Sequence, residues 1–480
     1  MSSNETSNGA ISRRAAIAAG LAPLVVPRHV LGGPNYTAPS DKLTIAAVGV
    51  GGMGRNYLDG CQAEKIVAVC DLDWTRPTTQ GVFNKFSTAT RYRDFRQMFD
   101  KEEKNFDALI IAVPDHWHAY MLMSAIQMKK HIYCAKPVAH SIGEVRKVRQ
   151  ALLANPKLVT KASIQDSLTS YARASTELLS TGVIGPVREV HIWSSHPIYP
   201  CNVTRPAETQ TPPDGFDWDL WVGPARFHPY NKAYHPEIWR AWFDFGTADV
   251  GDMACHTLQY FFNELQLAAP KVIYGYSSTR TDTYNTPVVT AETEGYANFV
   301  AWEYGPRGNM PPLNMYFYDG GMRPPRPVEL DHATAMPRDA VMFVGEKGKM
   351  MCGYYGGNPF QSFGRAPAPG TKMRGLAGGL LLPEDKFKDF QQPAPTLPRV
   401  EKADHYTEWT TCAKAGKPTL MPIALASHFT ETALLGTLAL RTRKVLEWDI
   451  ASMRVTNNDD SVNQFVEPAY RAPWKLPTLT

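Results

Sequence analysis

The sequence predicts an α/β protein in which a doubly wound parallel sheet comes first and an α+β domain with a mostly antiparallel sheet follows. In the first third of the chain, short continuous apolar runs alternate with helical stretches. Such runs are typical of parallel strands that are covered on both faces. Further along, the strand-like runs alternate between apolar and polar residues with few helices between them, which indicates antiparallel strands with one wetter face.

The doubly wound domain is predicted over residues 42–160. Its candidate strands are the apolar runs 43–50, 66–73, 108–114 and 131–137, and helical patterns cover 119–130 and 141–154.

The α+β domain is predicted over residues 161–480. Its candidate strands are 187–195, 271–278, 294–304, 313–319 and 340–351. An amphipathic helix suited to core packing is predicted at 424–443. The segments 320–337 and 353–399, which are rich in proline and glycine, are expected to be surface loops.

Composition excludes several kinds of site. The 480 residues are 44% hydrophobic and 20% charged, so the chain is long and apolar enough for more than one core. The formal net charge is +4 and no basic run could neutralise a row of phosphates, so we expect no nucleic-acid partner. The seven cysteines form no CxxC pair and have no histidine at zinc spacing, so we expect no metal site.

Residues 1–33 have the features of an export signal. Arg13 and Arg14 directly precede the weakly apolar stretch 15–26, which is too short to span a bilayer, since that takes about 20 residues. The pattern resembles a twin-arginine signal, so we expect a periplasmic or other extracytoplasmic protein without a stable membrane anchor. A disordered N-terminal tail is the alternative.

A glycine-rich turn predicts a dinucleotide site. The segment Gly49-Val50-Gly51-Gly52-Met53-Gly54 fits GxGxxG and lies between a predicted strand and a helical stretch. These glycines permit a tight turn and a close approach to a pyrophosphate, which the N-terminus of the helix then attracts.

Asp71, about twenty residues further on, ends the second predicted strand, where a carboxylate binds ribose hydroxyls. Asp73 is the competing acid, and the ordinary alternative for it is a loop charge. We expect NAD rather than NADP, because the Asp71 carboxylate would repel a 2′-phosphate and no neighbouring arginine is expected to compensate it.

Several further motifs together resemble the Gfo/Idh/MocA family, in its exported bacterial branch. They are PDHWH (114–118), YCAKP (133–137), DLWVGP (219–224), WRAWFDFG (239–246), GDMACH (251–256) and YRAPW (470–474). The resemblance covers nearly the whole chain after residue 33 and implies a Rossmann domain followed by a substrate and oligomerisation domain. One position departs from the family pattern: Ala135 stands where Glu or Gln usually precedes the Lys-Pro pair.

The resemblance implies that Lys136 and Pro137 lie beside the nicotinamide, often joined by a cis peptide. Their position at a strand end agrees, because ligands bind at the carboxyl ends of parallel strands. Pro114, His116 and His118 are the other cofactor-binding candidates, with the two histidines expected near the nicotinamide ribose.

Oxidising an alcohol requires a base for the hydroxyl proton and a positive charge near the developing alkoxide. Asp252 and His256 are four residues apart, which places them on one face of a helix. By resemblance, His256 is the base, Lys136 its electrostatic partner and Asp252 the orienting or substrate-binding acid. Polar and aromatic residues that could shape a sugar pocket are Gln165, His196, Arg205, Tyr234, His235, Trp239 and Arg240, each of which could equally be structural.

Together, these residues predict an oxidoreductase that acts on a secondary hydroxyl of a sugar or polyol and that holds NAD tightly and recycles it. The alternative is a glycosidase or lyase that uses transient oxidation, elimination and re-reduction of a glycoside, and a third is a non-catalytic NAD-dependent sensor. The resemblance also implies a homodimer or homotetramer.

Overall fold

The computed structural model describes residues 38–196, 200–283, 286–360 and 374–479. The chain forms two compact units, residues 1–42 and 43–480. The described part of the first unit contains a 3₁₀ turn at Pro39–Asp41, and the predicted export signal lies outside the described residues. All other elements belong to the second unit.

The first sheet has six parallel strands in the order β3-β2-β1-β4-β5-β6, which confirms the predicted doubly wound sheet. The strands are β1 (Thr44–Val48), β2 (Lys65–Cys70), β3 (Thr90–Tyr92), β4 (Ala108–Ile111), β5 (His131–Ala135) and β6 (Thr160–Ser163). The strands β1, β2, β4 and β5 are the four apolar runs of the sequence.

The sequence pattern predicts neither β3 nor β6. β3 is a short edge strand, and β6 has the polar sequence TKAS although all its residues are buried. Because β6 pairs in parallel with β5 up to Ala135↔Ser163, the sheet extends beyond the predicted domain limit at residue 160.

Five helices connect these strands. They are α1 (Met53–Gly60), α2 (Pro77–Lys85), α3 (Phe95–Glu102), α4 (Asp115–Gln127) and α5 (Ile142–Leu153). α4 is buried on almost every side and packs on both β5 and α5. A reciprocal pair of hydrogen bonds between Ser141 and Glu144 caps the start of α5.

The second sheet has nine strands in the order β15-β14-β13-β7-β12-β11-β8-β16-β17. They are β7 (Val187–Trp193), β8 (Val272–Ser277), β11 (Asn298–Tyr304), β12 (Leu313–Tyr318), β13 (Ala340–Gly345), β14 (Lys349–Gly353), β15 (Leu380–Leu382), β16 (Leu446–Asp449) and β17 (Arg454–Val455), with β9 (Arg280–Thr283) and β10 (Thr286–Val288) forming a separate hairpin. Among the described pairs of this sheet, β12 with β7 is parallel and the others are antiparallel, so the predicted topology class is confirmed.

The segment 340–351, predicted as one strand, is a hairpin of β13 and β14. The chain reverses between Gly345 and Gly348, where the Gly345 amide donates to the Gly348 carbonyl at 2.9 Å. Apolar residues continue through both strands and conceal the turn, which the two glycines mark. The expected loop 353–399 likewise contains the short strand β15.

The second domain contains seven further helices: α6 (Ser170–Ser180), α7 (Trp218–Val222), α8 (Ala248–Leu258), α9 (Glu384–Phe387), α10 (His405–Ala415), α11 (Ile423–Thr442) and α12 (Asp460–Asn463). The helix predicted at 424–443 is α11, which packs against α5, α8 and β8 and so connects the two sheets. It is long and apolar enough to cross a membrane, but 78% of its apolar window is buried inside the protein, which fits the expected core helix.

Candidate active site

A cavity of about 690 Å³ lies at the carboxyl ends of the parallel strands. Its floor contains Val48, Cys70, Ala135 and Ser163, which end β1, β2, β5 and β6. Helix α8 and the segment between β7 and α8 close the other side. The cavity therefore occupies the position at which open α/β sheets bind ligands, and its size suits a small-molecule or cofactor site.

The glycine-rich turn forms one wall of the cavity. Gly49 has φ +82°, and a side chain there would clash with the Ala112 carbonyl. A Cβ on Gly54 would clash with the Gly49 carbonyl, so this glycine permits the close packing of α1 on β1. A Cβ on Gly52 would meet nothing within 4 Å, because Gly52 faces the open cavity. Gly49, Gly51, Gly52 and Met53 line the cavity as predicted.

Asp71 also lines the cavity, at the end of β2. Its carboxylate accepts hydrogen bonds from the Gly51 amide at 2.7 Å and the Asp73 amide at 2.9 Å. Burial raises the pKa of Asp71. The competing acid, Asp73, is engaged elsewhere: it binds His235 Nε2 at 3.0 Å and the Thr75 hydroxyl at 2.6 Å. Asp71 is therefore the better placed of the two acids for a ribose.

An arginine lies near Asp71, contrary to the expectation from the sequence. A methyl group on Gly51 would lie 3.2 Å from Asp71 Oδ2 and 3.6 Å from Arg76 Nη1. Arg76 directly precedes α2 as its N-cap residue and is five residues beyond Asp71. Arg76 therefore offsets part of the negative charge of Asp71, which the expectation from the sequence did not include.

The three predicted catalytic residues meet in the cavity. Lys136 Nζ lies 2.8 Å from Asp252 Oδ1 and donates to the Asp252 main-chain carbonyl at 2.9 Å. His256 follows Asp252 by one turn of α8, lines the same cavity and packs edge-on against Tyr355, with ring centroids 5.4 Å apart. The Lys136–Pro137 peptide is cis, as the resemblance implied.

The Lys136–Asp252 pair is ionised by mutual attraction. Burial acts to lower the pKa of Lys136, but the neighbouring Asp252 carboxylate outweighs burial and the pKa is raised. Burial acts to raise the pKa of Asp252, but Lys136 and then Arg240 outweigh it and the pKa is lowered. Ala135 lines the cavity beside this pair and supplies no charge, so Asp252 is the carboxylate that holds Lys136.

Asp115 is a cavity residue that sequence reasoning missed. It begins α4, and its Oδ2 accepts a hydrogen bond from the Thr247 hydroxyl at 2.9 Å. Burial and the Asp252 charge raise the pKa of Asp115 to about 7. The signal in the sequence was its position inside the motif 114–118, directly after a strand end.

His116 and His118 are buried and are not among the described residues that line the cavity. The His116 ring nitrogens lie 3.2 and 3.0 Å from the carbonyls of Phe245 and Trp221. Burial lowers the pKa of His116 to about 3, so this ring is neutral. The His118 ring nitrogens lie 2.6 and 2.9 Å from the carbonyls of Pro137 and Val113. Both histidines brace the loops that form the site, whereas Pro114 lines the cavity itself.

Among the candidate sugar-binding residues, His235, Trp239, Arg240 and His196 line the cavity. The Arg240 guanidinium lies 4.6 Å from the centre of the Trp239 ring, so these two form one amphipathic surface. The side chain of Gln165 lies outside the described residues.

Two other candidates are not among the described residues that line the cavity and contact other protein side chains instead. Arg205 binds the carboxylates of Asp244 at 2.8 Å and Glu292 at 3.1 Å. Tyr234 is buried against Trp242, with ring centroids 4.9 Å apart. The sequence could not separate these structural residues from ligand-binding ones because both kinds are polar or aromatic and lie in the same loop-rich segment.

Family models match both parts of the chain. Residues 43–162 match the NAD-binding Rossmann domain of the Gfo/Idh/MocA oxidoreductase family, and residues 201–282 match the C-terminal alpha/beta domain of the same family. The first domain is thus similar to the NAD-binding Rossmann domains of that family.

Curated relatives resemble a limited part of the chain. An inositol 2-dehydrogenase from Rubrobacter xylanophilus is 27% identical over 150 residues, which are 30% of this chain and 42% of that protein. An inositol 2-dehydrogenase from Salmonella typhimurium is 23% identical over 154 residues, 31% of this chain and 45% of that protein. The chain thus spans less than half the length of these relatives.

Solved structures share the fold over most of the chain. The WlbA dehydrogenase from Bordetella pertussis, solved with NADH and UDP-GlcNAcA, has a TM-score of 0.54 and 11% identity, over 85% of this chain and 99% of its own. The myo-inositol dehydrogenase from Lactobacillus casei, solved with NAD(H) and myo-inositol, has a TM-score of 0.52 and 14% identity, over 85% and 97%. These similarities establish the two-domain fold.

The contrast between Gly52 and Gly54 gives a first test of the glycine-rich turn. Gly54→Ala should lose roughly 1–3 kcal/mol of stability, because its methyl group overpacks the turn. Gly52→Ala should be destabilised less than Gly54→Ala. It should nevertheless bind a dinucleotide at least about tenfold more weakly, since its methyl group enters the cavity. Thermal unfolding and dinucleotide titration check the two effects. Unchanged dinucleotide affinity in Gly52→Ala would contradict the placement.

Asp115 gives a test by pH. Since its pKa is raised to about 7 from an ordinary 3.8, its stabilising contribution is present below the ordinary value and is lost as the pH rises towards 7. Between about pH 5 and pH 7, Asp115→Asn should therefore lose less unfolding free energy than the unmodified protein, by about 1.4 kcal/mol for each pH unit.

Denaturant unfolding at each pH measures this difference for Asp115→Asn. Asp100→Asn, which replaces an exposed carboxylate, is the matched control. Parallel curves for the unmodified protein and Asp115→Asn would refute the raised pKa.

Proposed function

We propose, from the match of both domains to the Gfo/Idh/MocA oxidoreductase family, that this protein is an NAD-linked oxidoreductase of a secondary hydroxyl group in a sugar or polyol. The observation that carries the proposal is the presence of the glycine-rich turn and the Lys136–Asp252–His256 cluster in one cavity.

The residues present fit a dinucleotide. Gly52 leaves open space beside the N-terminus of α1, where free amide groups attract phosphate, and no side chain caps that helix. Asp71 offers a carboxylate to a ribose, and Pro114 and Lys136 line the same cavity. A nicotinamide bound there supplies the hydride acceptor that the protein side chains lack.

The side chains of the cluster divide the work on the hydroxyl group. His256 takes the hydroxyl proton as general base, a contribution of roughly 10²- to 10⁴-fold. The Lys136 ammonium, held by Asp252 at 2.8 Å, stabilises the negative charge that develops on the oxygen. Asp252 thereby fixes the position of Lys136 and keeps it protonated. Burial of His256 and Asp252 excludes bulk water from this end of the cavity.

A carbohydrate-like substrate suits the remaining walls. Trp239 offers a ring face of the kind on which the apolar face of a sugar packs, and Arg240 adds hydrogen-bond donors for hydroxyl groups. The inositol dehydrogenases among the relatives support a polyol or sugar as the substrate class.

Tight retention and internal recycling of NAD are a further part of the proposal. Arg13, Arg14 and the apolar stretch 15–26 support twin-arginine export, and a protein outside the cytoplasm has little free NAD to exchange. A cofactor that stays bound and returns its hydride in the same site avoids this difficulty. We also propose that the protein forms the homodimer or homotetramer that the family resemblance implies.

The glycosidase or lyase alternative has one observation in its favour. Elimination next to an oxidised carbon requires a second acid–base group besides the one that handles the hydroxyl proton. Asp115, with a pKa of about 7, lies in the same cavity as His256 and could carry that proton. Release of an aryl leaving group from aryl glycosides distinguishes this reaction from net oxidation.

Substitution of the cluster tests the proposed chemistry. His256→Ala and Lys136→Ala should each lower kcat by more than about 10²-fold and leave the dinucleotide bound, because one removes the base and the other the positive charge. Product formation from a panel of inositols and aldoses measures the rate. His332→Ala, which removes an exposed histidine outside the cavity, is the control. Near-normal rates in both folded cluster variants would place the active site elsewhere.

Cofactor recycling has its own test. Extensively dialysed protein should retain close to one dinucleotide per chain and should turn over many times with none added. The dinucleotide released by acid denaturation, compared with product formed, measures both quantities. If the protein instead loses its cofactor on dialysis and consumes added NAD in proportion to product, it is a conventional dehydrogenase and recycling is excluded.

A further inference from the structure

Three charged side chains meet at the end of the cavity beside Gly51. Asp71 binds the Gly51 amide at 2.7 Å, and Arg76 Nη1 would lie 3.6 Å from a methyl group on Gly51. Arg76 Nη2 in turn binds Glu237 Oε1 at 2.8 Å. All three residues line the cavity.

Glu237 comes from the second domain, whereas Asp71 and Arg76 belong to the first. It lies directly after the His235–Pro236 peptide and before the 3₁₀ turn Ile238–Ala241. The buried His235 anchors this segment, because its Nε2 binds Asp73 at 3.0 Å and its ring stacks on Phe216 with centroids 4.5 Å apart. The position of Glu237 over Arg76 is thus set by the fold.

Without Glu237, Arg76 would favour NADP over NAD. An arginine near the ribose-binding acid is the group that accommodates the 2′-phosphate of NADP, because a guanidinium binds phosphate with two parallel hydrogen bonds. In this protein, however, one side of that guanidinium is already committed to a carboxylate. Two carboxyl groups, those of Asp71 and Glu237, thus lie beside the one guanidinium that a phosphate would need.

We propose that Glu237 is a specificity-determining residue that makes the protein select NAD over NADP by occupying Arg76. The inference rests on the proposed function, since it presupposes a dinucleotide in the cavity. A 2′-phosphate has to displace Glu237 from Arg76 and lie beside two carboxylates, whereas the ribose hydroxyl of NAD requires neither. The second domain therefore sets the cofactor preference of the first.

The exposure of the pair agrees with a role in specificity rather than in folding. The Glu237 side chain is 72% exposed and that of Arg76 is 20% exposed. Ion pairs with so exposed a partner contribute little to stability. Loss of Glu237 should therefore leave the fold intact, while the guanidinium that it releases remains in the cavity and becomes available to a phosphate.

The experiment is a competition between the two cofactors in the full-length protein. Purified protein is incubated to equilibrium with an equimolar mixture of NAD and NADP, freed of unbound nucleotide, and denatured in acid to identify what it carried. Glu237→Gln should raise the ratio of NADP to NAD by about tenfold, because the freed guanidinium makes a charge-assisted bond to the phosphate. Calorimetric titration of each variant with 2′,5′-ADP and with 5′-AMP gives a second readout that excludes the nicotinamide.

Two further variants isolate the role of Arg76. In the double variant Arg76→Met with Glu237→Gln, the ratio should return towards that of the unmodified protein, because no guanidinium remains. Asp59→Asn is the matched control: it breaks a comparable pair with Lys85, also 2.8 Å long, in the same domain but outside the cavity. It should leave the ratio unchanged.

The outcomes separate this inference from the proposed function. An unchanged ratio in Glu237→Gln overturns the inference, and an equal rise in the double variant overturns the part assigned to Arg76. A rise in Asp59→Asn of the same size overturns it as well, since the effect would then be one of general charge. Failure of the unmodified protein to carry either nucleotide overturns the proposed function and this inference together.

Discussion

The contact between Lys136 and Asp252 is the interaction on which the site depends. It joins the end of β5 to α8 and so connects the parallel sheet to the second domain at the catalytic end of the cavity. Lys136 and Asp252 are largely removed from water, and each stabilises the charge of the other, so Lys136 remains protonated and its position is fixed. The same helix presents His256 one turn later. Ala135, which provides no charge beside Lys136, makes this contact with the second domain the more important.

At the other end of the cavity the two domains meet again through charges. His235 and Glu237, from the segment between β7 and α8, contact Asp73 and Arg76 of the first domain. The dinucleotide cavity is therefore bounded by both domains along its length. The proposed retention of the cofactor and the proposed selection of NAD have the same physical origin. A ligand that is enclosed by two domains can leave only when the contacts between the domains separate. It can enter only when it is compatible with those contacts.

Polar residues of similar appearance have different roles because of their depth. His116 and His118 contact main-chain carbonyls in the interior, where burial disfavours their charged forms. Asp115 lies at the cavity wall, where burial and a neighbouring carboxylate bring its pKa to about 7. One short motif thus contains both two bracing histidines with lowered pKa values and an acid with a pKa raised to about 7.

The sequence by itself determined the order of the domains, the glycine-rich turn, Asp71 and the Lys136–Asp252–His256 cluster. The domain order, the glycine-rich turn and Asp71 rest on local information, namely strand periodicity and the conformational needs of glycine. The grouping of Lys136 with Asp252 and His256 rests on the resemblance to a known family, with helical spacing placing Asp252 and His256 on one face. Tertiary structure alone decided the polar strand β6, the protein contacts of Arg205 and Tyr234 outside the cavity, and the approach of Glu237 to Arg76. Each depends on which residues distant in the chain become neighbours, and burial and charge pairing act only after that arrangement exists.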